Sequence, residues 1–308
     1  MTGKFYSNGK LLITGEYVVL DGARALAVPT RFGQSLEIEQ NDKNKIIWTA
    51  LDYKGKQWFK TSLILKGSEL IFAEGNTHPT EPESRLQQVL TEAHKLNSEI
   101  LTSNFGYNVI TRLDFPQDWG LGSSSTLINN VAQWFRIDPY LLLKNTFGGS
   151  GYDIAAAQNE EPITFQLTKD KPGVLTSSFD PVFKEQLFFV HLNRKQNSRT
   201  SIAHYEAQSK VTVNNTVARI STLTESFIKC NTLEEFKLLI EIHETLISKL
   251  INTPKVKTSQ FTDFPGAIKS LGGWGGDFIL ATGGQGEMDY FRRKGYLTIV
   301  SYNEMVKN

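Results

Sequence analysis

The sequence predicts an α+β fold in two domains. The chain has 308 residues, and domains of roughly 100–200 residues make two the natural count. Hydrophobic residues make up 40% of the chain, which is enough to form a buried core. Strand-like and helix-like segments come in mixed blocks rather than in strict alternation, and this favours α+β over a doubly wound parallel sheet.

The N-terminal region is predicted to consist mainly of strands. Leu11–Ile13 form a short apolar run, and a second run, Tyr17–Leu20, resumes after a Thr-Gly-Glu interruption. Asp21-Gly22 is typical of a hairpin turn. Residues 34–73 continue as short strand-like segments separated by turn residues.

Beyond residue 79 the sequence predicts helices as well as strands. The spacing of the apolar residues becomes helical there. The predicted helices are residues 85–96, 126–135, 139–148, a segment starting near Tyr152, and 201–252. The predicted strands are residues 105–115, 163–167, 187–192, 278–283 and 296–302. A loop is expected over 251–266, and a Gly-rich segment at 272–276 is expected to lie between a helix and a strand.

Composition excludes several classes of protein. Lys plus Arg number 33 and Asp plus Glu number 32, so the net charge of +1 gives no basis for a nucleic-acid or membrane-surface partner. No apolar run is long enough for a membrane span, and charges at Lys4, Lys10 and Glu16 interrupt any signal peptide. Cys230 is the single cysteine, which excludes an intramolecular disulfide. These features favour a cytoplasmic protein.

The strongest motif is the segment PQDWGLGSSST at residues 116–126, which leads from a predicted strand into a helix. Gly120 and Gly122 let the backbone approach a ligand without a Cβ clash. Successive N–H groups and the helix N-terminus together favour an anion, and serine hydroxyls can contact phosphate oxygens or magnesium. The alternative is a Ser/Gly loop with a helix-capping serine. No lysine follows the last glycine, so the loop is not a Walker A motif.

Two further motifs place an acid and a lysine near Gly-rich turns. Asp153 follows Gly148–Gly151 near the start of a small-residue helix, where a carboxylate could accept a hydroxyl proton. The alternative is an acid stabilised by the helix dipole. Lys10 precedes a buried strand and could direct its ammonium into a site, with a solvated surface lysine as the alternative.

A third Gly-rich motif, SLGGWGGDF at residues 270–278, has four glycines in five positions. Packing does not readily explain so many glycines, so a close approach of the backbone to a ligand or to another loop is the natural interpretation.

The motifs GK…GEY, PxxxGLGSS, GSGYD and GGWGGD occur in this order between residues 9 and 278. This order resembles the GHMP kinase superfamily, named for galactokinase, homoserine kinase, mevalonate kinase and phosphomevalonate kinase. Gly15-Glu16-Tyr17 and the segments 149–153 and 275–277 most resemble the phosphomevalonate kinase branch, with the mevalonate kinase branch as the alternative.

The resemblance implies a two-domain GHMP kinase fold. An N-terminal ATP-binding domain similar to domain 2 of ribosomal protein S5 is expected over residues 1–183, and a ferredoxin-like C-terminal domain over residues 184–308. The implied function is an ATP-dependent kinase of the mevalonate (isoprenoid) pathway, most similar to those that phosphorylate phosphomevalonate. The alternatives are a mevalonate kinase, a catalytically weak nucleotide- or metabolite-binding homologue, and an ATP-dependent decarboxylase of the same superfamily.

The resemblance also implies site residues. Asp153 would take the acceptor's hydroxyl proton, Lys10 would pair with that acid and with the phosphate, and Ser124 would contact magnesium. The implied ATP-binding residues are Gly120, Leu121, Gly122, Ser123, Ser124 and Ser125. The expected substrate-binding residues are Ser150, Gly151, Arg194, Ser198, Arg199, Gly273, Gly275 and Gly276. ATP and Mg²⁺ are the implied cofactors, the partner is a small-molecule acid or alcohol, and a homodimer is left open.

Arg194 and Arg199 belong to a segment that follows the strand 187–192 and carries three cations within nine residues. A planar guanidinium binds phosphate through two parallel hydrogen bonds, so this segment could hold a phosphorylated acceptor. A solvated turn is the alternative.

Two positions depart from the family pattern. Family members commonly carry a second magnesium-binding Glu upstream of the acid, whereas residues 141–145 are LLLKN and contain no carboxylate. Trp274 stands where a small residue is common, and it is expected to narrow the site.

Overall fold

The computed structural model describes residues 2–73, 78–102, 105–169, 171–194, 199–272 and 274–307, with the side chains of 199–201 excepted. The strands are β1 (Gly3–Thr14), β2 (Ala25–Asn41), β3 (Ile46–Leu51), β4 (Gln57–Lys66), β5 (Glu69–Phe72), β6 (Gly106–Leu113), β7 (Ile163–Leu167), β8 (Pro172–Thr176), β9 (Leu187–His191), β10 (Ile268–Ser270), β11 (Phe278–Thr282) and β12 (Ile299–Ser301). The α-helices are α1 (Glu81–Leu96), α2 (Ser123–Phe135), α3 (Pro139–Thr146), α4 (Tyr152–Gln158), α5 (Arg199–Glu206), α6 (Lys210–Lys229), α7 (Leu233–Leu250), α8 (Val256–Gln260), α9 (Gln285–Arg293) and α10 (Tyr302–Met305). This mixture confirms the predicted fold class.

The chain forms two compact units that are discontinuous in sequence. Unit 1 comprises residues 1–9, 32–117 and 122–158, and unit 2 comprises residues 10–31, 118–121 and 159–308. The domain boundaries 1–183 and 184–308 stay a prediction.

The core of unit 1 lies against one face of a sheet. Its strands lie in the order β5-β4-β3-β6-β2, with β3 and β6 parallel and the other neighbours antiparallel. Alternation along β3 buries Ile46, Trp48 and Ala50, as expected for a strand with one face toward a core. Helix α1 begins with a capping box between Thr80 and Glu83, and its buried face packs into the same core as α2.

Unit 2 contains a second sheet, which is antiparallel in the order β10-β11-β9-β12. Strands β9 and β11 are buried along their whole length, as is typical of central strands covered on both faces. Helices α6 and α7 pack together, and a separate core cluster includes Val18, Tyr205, Ile247 and Trp274. Within the described residues, no helix combines the length and the apolar character needed to cross a membrane.

The predicted strand at Tyr17–Leu20 is wrong. Residues Val18–Asp21 form a 3-10 helix, because the backbone turns at Gly15 (φ 101°) and Tyr17 (φ 64°). A Cβ on Gly15 would lie 2.6 Å from the Cβ of Ala25, so the turn needs glycine there. Val18 and Val19 are buried as residues of this helix and not of a strand, which accounts for the apolar run.

The predicted setting of the 272–276 segment is also wrong. The segment connects two antiparallel strands, since Ile268 pairs with Ala281 and Ser270 with Ile279. Strand β10 has only three residues, which is too short for alternation to be recognised. The segment 251–266, predicted as loop, contains the short helix α8, and the elements β8 and α9 were not predicted.

Candidate functional site

Lys10 lies at the start of the glycine-rich loop. It belongs to β1, and its backbone N–H donates to the carbonyl oxygen of Leu121 at 3.0 Å. Its ammonium donates to the carbonyl oxygen of Gly120, also at 3.0 Å. The hydrogen bond to Leu121 therefore fixes the lysine backbone beside the loop, and the side chain reaches the first glycine of the motif.

The loop has the backbone geometry of an anion site. Gly120 (φ 66°) and Gly122 (φ 89°) are both left-handed, and Gly122 is the N-cap of α2. Among the described residues, no side chain caps this helix. Since the first N–H groups of a helix lack intrahelical acceptors, they are available to a phosphate. The hydroxyl of Ser125 donates to the carbonyl oxygen of Gly122 at 2.8 Å and closes the turn, whereas Ser124 is exposed.

Asp277 is a residue of this region that the sequence did not assign to the site. A Cβ on Gly120 would lie only 2.6 Å from the carboxyl carbon of Asp277, so the acid packs directly on the loop backbone. Nearby, the ring of Trp119 packs edge-on against Phe278, with 5.3 Å between centroids. His191 contacts the carbonyl oxygen of Asp118 at 3.1 Å. Asp277 ends the quoted GGWGGD motif, so the signal for it was present in the sequence.

Arg194 holds the C-terminal part of the Gly-rich loop, at Gly275 and Asp277. Its Nε donates to the carbonyl oxygen of Gly275 at 2.8 Å, and its own carbonyl accepts from the N–H of Asp277 at 3.0 Å. Its side chain is exposed, and a Cβ on Gly275 would lie 3.8 Å from Nη2. Arg194 and Gly275, predicted separately as substrate-binding residues, are thus in direct contact, and Gly276 is buried beside them in the chain.

Trp274 does not narrow an open site as expected. It is 1% exposed and belongs to the core cluster with Val18 and Tyr205, and its indole N–H donates to the carbonyl oxygen of Pro254 at 2.9 Å. The large residue anchors the loop instead.

Asp153 lies in the first turn of α4, where a carboxylate is favourably placed. It is half-buried, and its Oδ1 accepts from the N–H of Ile154 at 3.1 Å. Burial, with the charges of Asp138 and Asp153, raises the pKa of Tyr140 to about 12. Tyr140 also packs on the preceding turn, because a Cβ on Gly151 would lie 2.9 Å from its ring.

Four further residues were predicted to bind the substrate. Ser150 is buried, and its hydroxyl accepts from the N–H of Tyr152 at 3.5 Å. Ser198 and Gly273 lie outside the described residues. Arg199 begins α5, and its side chain is not among those described.

The residues present suit magnesium only as an ion carried by a nucleotide. In the described part of the chain, no group of three or more His, Cys, Asp or Glu side chains is arranged to hold a metal. Residues 141–145, the stretch in which family members commonly carry the second magnesium-binding Glu, contain no carboxylate here. Leu142 and Leu143 are instead buried in the core of unit 1. Magnesium commonly keeps several waters and binds through substrate phosphates, so the exposed Ser124 hydroxyl is an adequate protein contact.

Comparisons with known proteins find similarity in structure rather than in sequence. No family model matches the chain, and no curated protein matches it significantly. A solved mevalonate kinase is 16% identical with a TM-score of 0.70, covering 99% of this chain and 100% of that one. Galactokinase from Lactococcus lactis, complexed with galactose, is 11% identical with a TM-score of 0.72, covering 100% and 94%. Phosphomevalonate kinase from Streptococcus pneumoniae, in complex with phosphomevalonate and AMPPNP, is 16% identical with a TM-score of 0.65, covering 97% and 99%.

These similar structures are all GHMP kinases, and each matches this chain over nearly its whole length. The chain has the GHMP kinase fold. The fold implied by the order of the four motifs is therefore confirmed. Identities of 10–16% establish the GHMP kinase fold alone, and kinases with different acceptors share it at similar TM-scores.

Proposed function

We propose that the protein is an ATP-dependent small-molecule kinase, and that its acceptor is phosphomevalonate. The observation that carries the proposal is the 3.0 Å hydrogen bond from the Lys10 ammonium to Gly120, because it brings a cation to the loop best suited to hold phosphate. Phosphoryl transfer requires mainly positioning and charge stabilisation, and a fixed lysine beside an anion-binding loop supplies both.

The loop and the N-terminus of α2 hold the phosphates of ATP in this proposal. Gly120 and Gly122 keep the backbone open, and the first N–H groups of the helix donate to phosphate oxygens. Ser124 would contact the magnesium that accompanies the nucleotide. That ion, when bound, would neutralise charge on the phosphates.

Asp153 and Lys10 carry the transfer in this proposal. An oxygen of the acceptor's phosphate group forms a bond to the γ-phosphorus of ATP, and the bond from that phosphorus to the β,γ-bridging oxygen breaks to release ADP and leave diphosphomevalonate. The proton that the monoanionic form of this phosphate carries passes to the carboxylate of Asp153. The ammonium of Lys10 stabilises negative charge on the transferred group.

Arg194 supports a phosphorylated acceptor. Its guanidinium is exposed and is oriented by the bond to Gly275, so its remaining N–H donors can bind a phosphate. Kinases of mevalonate and of galactose share the fold, and their acceptors carry no phosphate. The acceptor of this protein must therefore be tested directly.

A catalytically weak nucleotide-binding protein is the second candidate. The observation that favours it is the burial of Leu142 and Leu143 in the region where the family has a magnesium-binding carboxylate. A protein of this kind would bind ATP with little turnover.

Coupled ADP release separates these candidates when it is measured with mevalonate, phosphomevalonate, diphosphomevalonate, homoserine and galactose. We expect turnover with phosphomevalonate above the rate without acceptor. Turnover with mevalonate alone would make the protein a mevalonate kinase, and ATP binding without turnover would favour the second candidate. Release of carbon dioxide and phosphate from diphosphomevalonate would identify a decarboxylase.

A further inference from the structure

Unit 2 encloses a cluster of charged side chains that the predicted site does not include. Glu16, His243, Glu244 and Lys269 are at most 2% exposed. The ammonium of Lys269 lies 2.5 Å from Oε1 of Glu16 and 3.4 Å from Oε1 of Glu244. It also donates to the carbonyl oxygen of Ser270 at 2.7 Å. We call these four residues the buried ionic cluster.

Stability alone does not account for such a cluster. Removing charges from water costs several kcal/mol per ion, and well-packed apolar residues in their place are often as stable or more stable. Buried ionic groups are in some proteins retained because their geometry specifies one arrangement of the elements that carry them. The relevant question is therefore which elements the cluster joins.

The cluster joins the ends of β1 and β10 to helix α7. Glu16 lies two residues after the end of β1, and the N–H of the intervening Gly15 donates to Nε2 of His243 at 3.3 Å. Glu244, the next residue of α7, accepts from the N–H and the hydroxyl of Ser270 at 3.1 and 2.9 Å. Ser270 is the last residue of β10, and the Gly-rich loop begins two residues after it.

The segment that follows β10 contacts the loop that contains Gly120. The segment after β10 ends at Asp277, whose carboxylate packs on Gly120, and Gly120 accepts the hydrogen bond from Lys10. Lys10 itself lies on β1, six residues before Glu16. The cluster thus links the end of β1, the strand that carries Lys10, to the end of β10, from which the chain continues into the Gly-rich loop.

We propose that Lys269 is a positioning residue, which through Glu16 and Glu244 fixes the described residues of the Gly-rich loop, 272 and 274–276, relative to the strand that carries Lys10. The effect on catalysis rests on the proposed kinase function, whereas the effect on the loop does not. Lys269 is fully buried and contacts no reacting atom, so its influence is exerted through the loop.

Hydrogen exchange of Lys269→Met tests this role without any substrate. We expect peptides covering residues 271–278 to exchange about tenfold faster, while β6 in unit 1 exchanges as in the wild type, because local opening is governed by local contacts. Lys237→Met is the matched control, since Lys237 makes an exposed pair with Glu234 at 3.9 Å. Unchanged exchange of the loop in a folded variant would overturn the proposal, as would equal acceleration in every peptide.

Ser270→Ala provides a second test in case Lys269→Met does not fold. It removes only the 2.9 Å hydroxyl bond to Glu244, and we expect the same local acceleration with a smaller size. In kinetics, the positioning role predicts a lower kcat with an unchanged Kd for ATP in both variants. A raised Kd with unchanged kcat would contradict it. A wild type that turns over no acceptor would contradict the kinase proposal alone, and the exchange result would then decide the role of Lys269.

Discussion

Asp153 is the residue on which the proposed chemistry depends most. Replacing it by Asn keeps the shape of the side chain and removes the proton acceptor, so turnover should fall by about 10²–10⁴. Affinity for ATP should change little, because the loop of Gly120–Ser125 holds the nucleotide in the proposal. Steady-state kinetics and calorimetry measure the two quantities, and the exposed Asp180→Asn is a control. Wild-type turnover in the Asn variant would show that Asp153 serves only the helix terminus.

Gly120 permits a sharp comparison with Gly148. Both have left-handed backbones, with φ values of 66° and 69°, so an Ala at either position carries similar backbone strain. Only at Gly120 would the new Cβ meet a neighbour, the carboxylate of Asp277 at 2.6 Å, and at Gly148 nothing lies within 4 Å. Gly120→Ala should therefore weaken ATP binding and lower stability more than Gly148→Ala. Calorimetry and thermal unfolding measure this, and equal effects would contradict the close packing of Asp277 on the loop.

Glu244 makes the stability of the junction between α7 and β10 depend on pH. Burial raises its pKa from 4.5 to about 7, with Lys269 opposing the shift. A carboxyl whose pKa is raised by folding contributes stability below its unfolded value and loses that contribution as the pH rises through the folded value. The shift corresponds to roughly 3 kcal/mol between pH 4.5 and about 7.

The groups around Glu244 set the form of the test. Glu16, whose pKa burial also raises, faces it from the end of β1, and Lys269 faces it from β10. On α7, burial lowers the pKa of His243 well below 6.5, so this group acts in the opposite sense as the pH falls. Protons bound by such a cluster are shared, and a single variant changes the count for all of its members.

Chemical denaturation of wild type and Glu244→Gln across pH 5–8 measures the effect. Relative to the variant, the wild type should lose stability as the pH rises, because Gln cannot release a proton. Glu241→Gln, on the exposed side of the same helix, should preserve the wild-type slope. Parallel curves for wild type and Glu244→Gln would show that Glu244 does not titrate in this range.

At the scale of elements, the sequence predicted those with clear periodicity. Helix α1, with Thr80 and Glu83 at its start, and the alternating strand β3 were both predictable, because one face of each is buried. The 3-10 helix at Val18–Asp21 was not, since an apolar run of four residues suits a strand equally well and the left-handed turn at Tyr17 has no sequence signal. Strand β10 is too short to show alternation.

The candidate site was predictable where glycines carried the signal. Left-handed glycines at 120, 122 and 275 mark the loops, and Lys10 contacts the first of them. The implied pairing of Lys10 with Asp153 and with phosphate stays a prediction. The contact of Asp277 with Gly120 and the tie between Glu244 and Ser270 depend on residues far apart in the chain. A single sequence does not indicate which distant residues come into contact.

For the whole molecule, the proposal predicts that ATP stabilises the folded state. A ligand at 100 times its Kd adds about 2.7 kcal/mol to the free energy of unfolding, which raises Tm. Gly122→Val should abolish this increase, because a branched side chain at a left-handed N-cap would stand where the backbone meets phosphate. Thermal unfolding with and without ATP provides the measurement. An equal rise in Tm for a folded Val variant would place the nucleotide elsewhere.

Transfer of label from ATP to phosphomevalonate's phosphate would demonstrate the proposed kinase activity itself. The protein is incubated with magnesium, γ-labelled ATP and phosphomevalonate, and the products are separated by chromatography. We expect labelled diphosphomevalonate in amounts equal to the ADP formed, and none with Asp153→Asn beyond a residual rate. Bound ATP with no labelled acceptor, or label released only as inorganic phosphate, would contradict it.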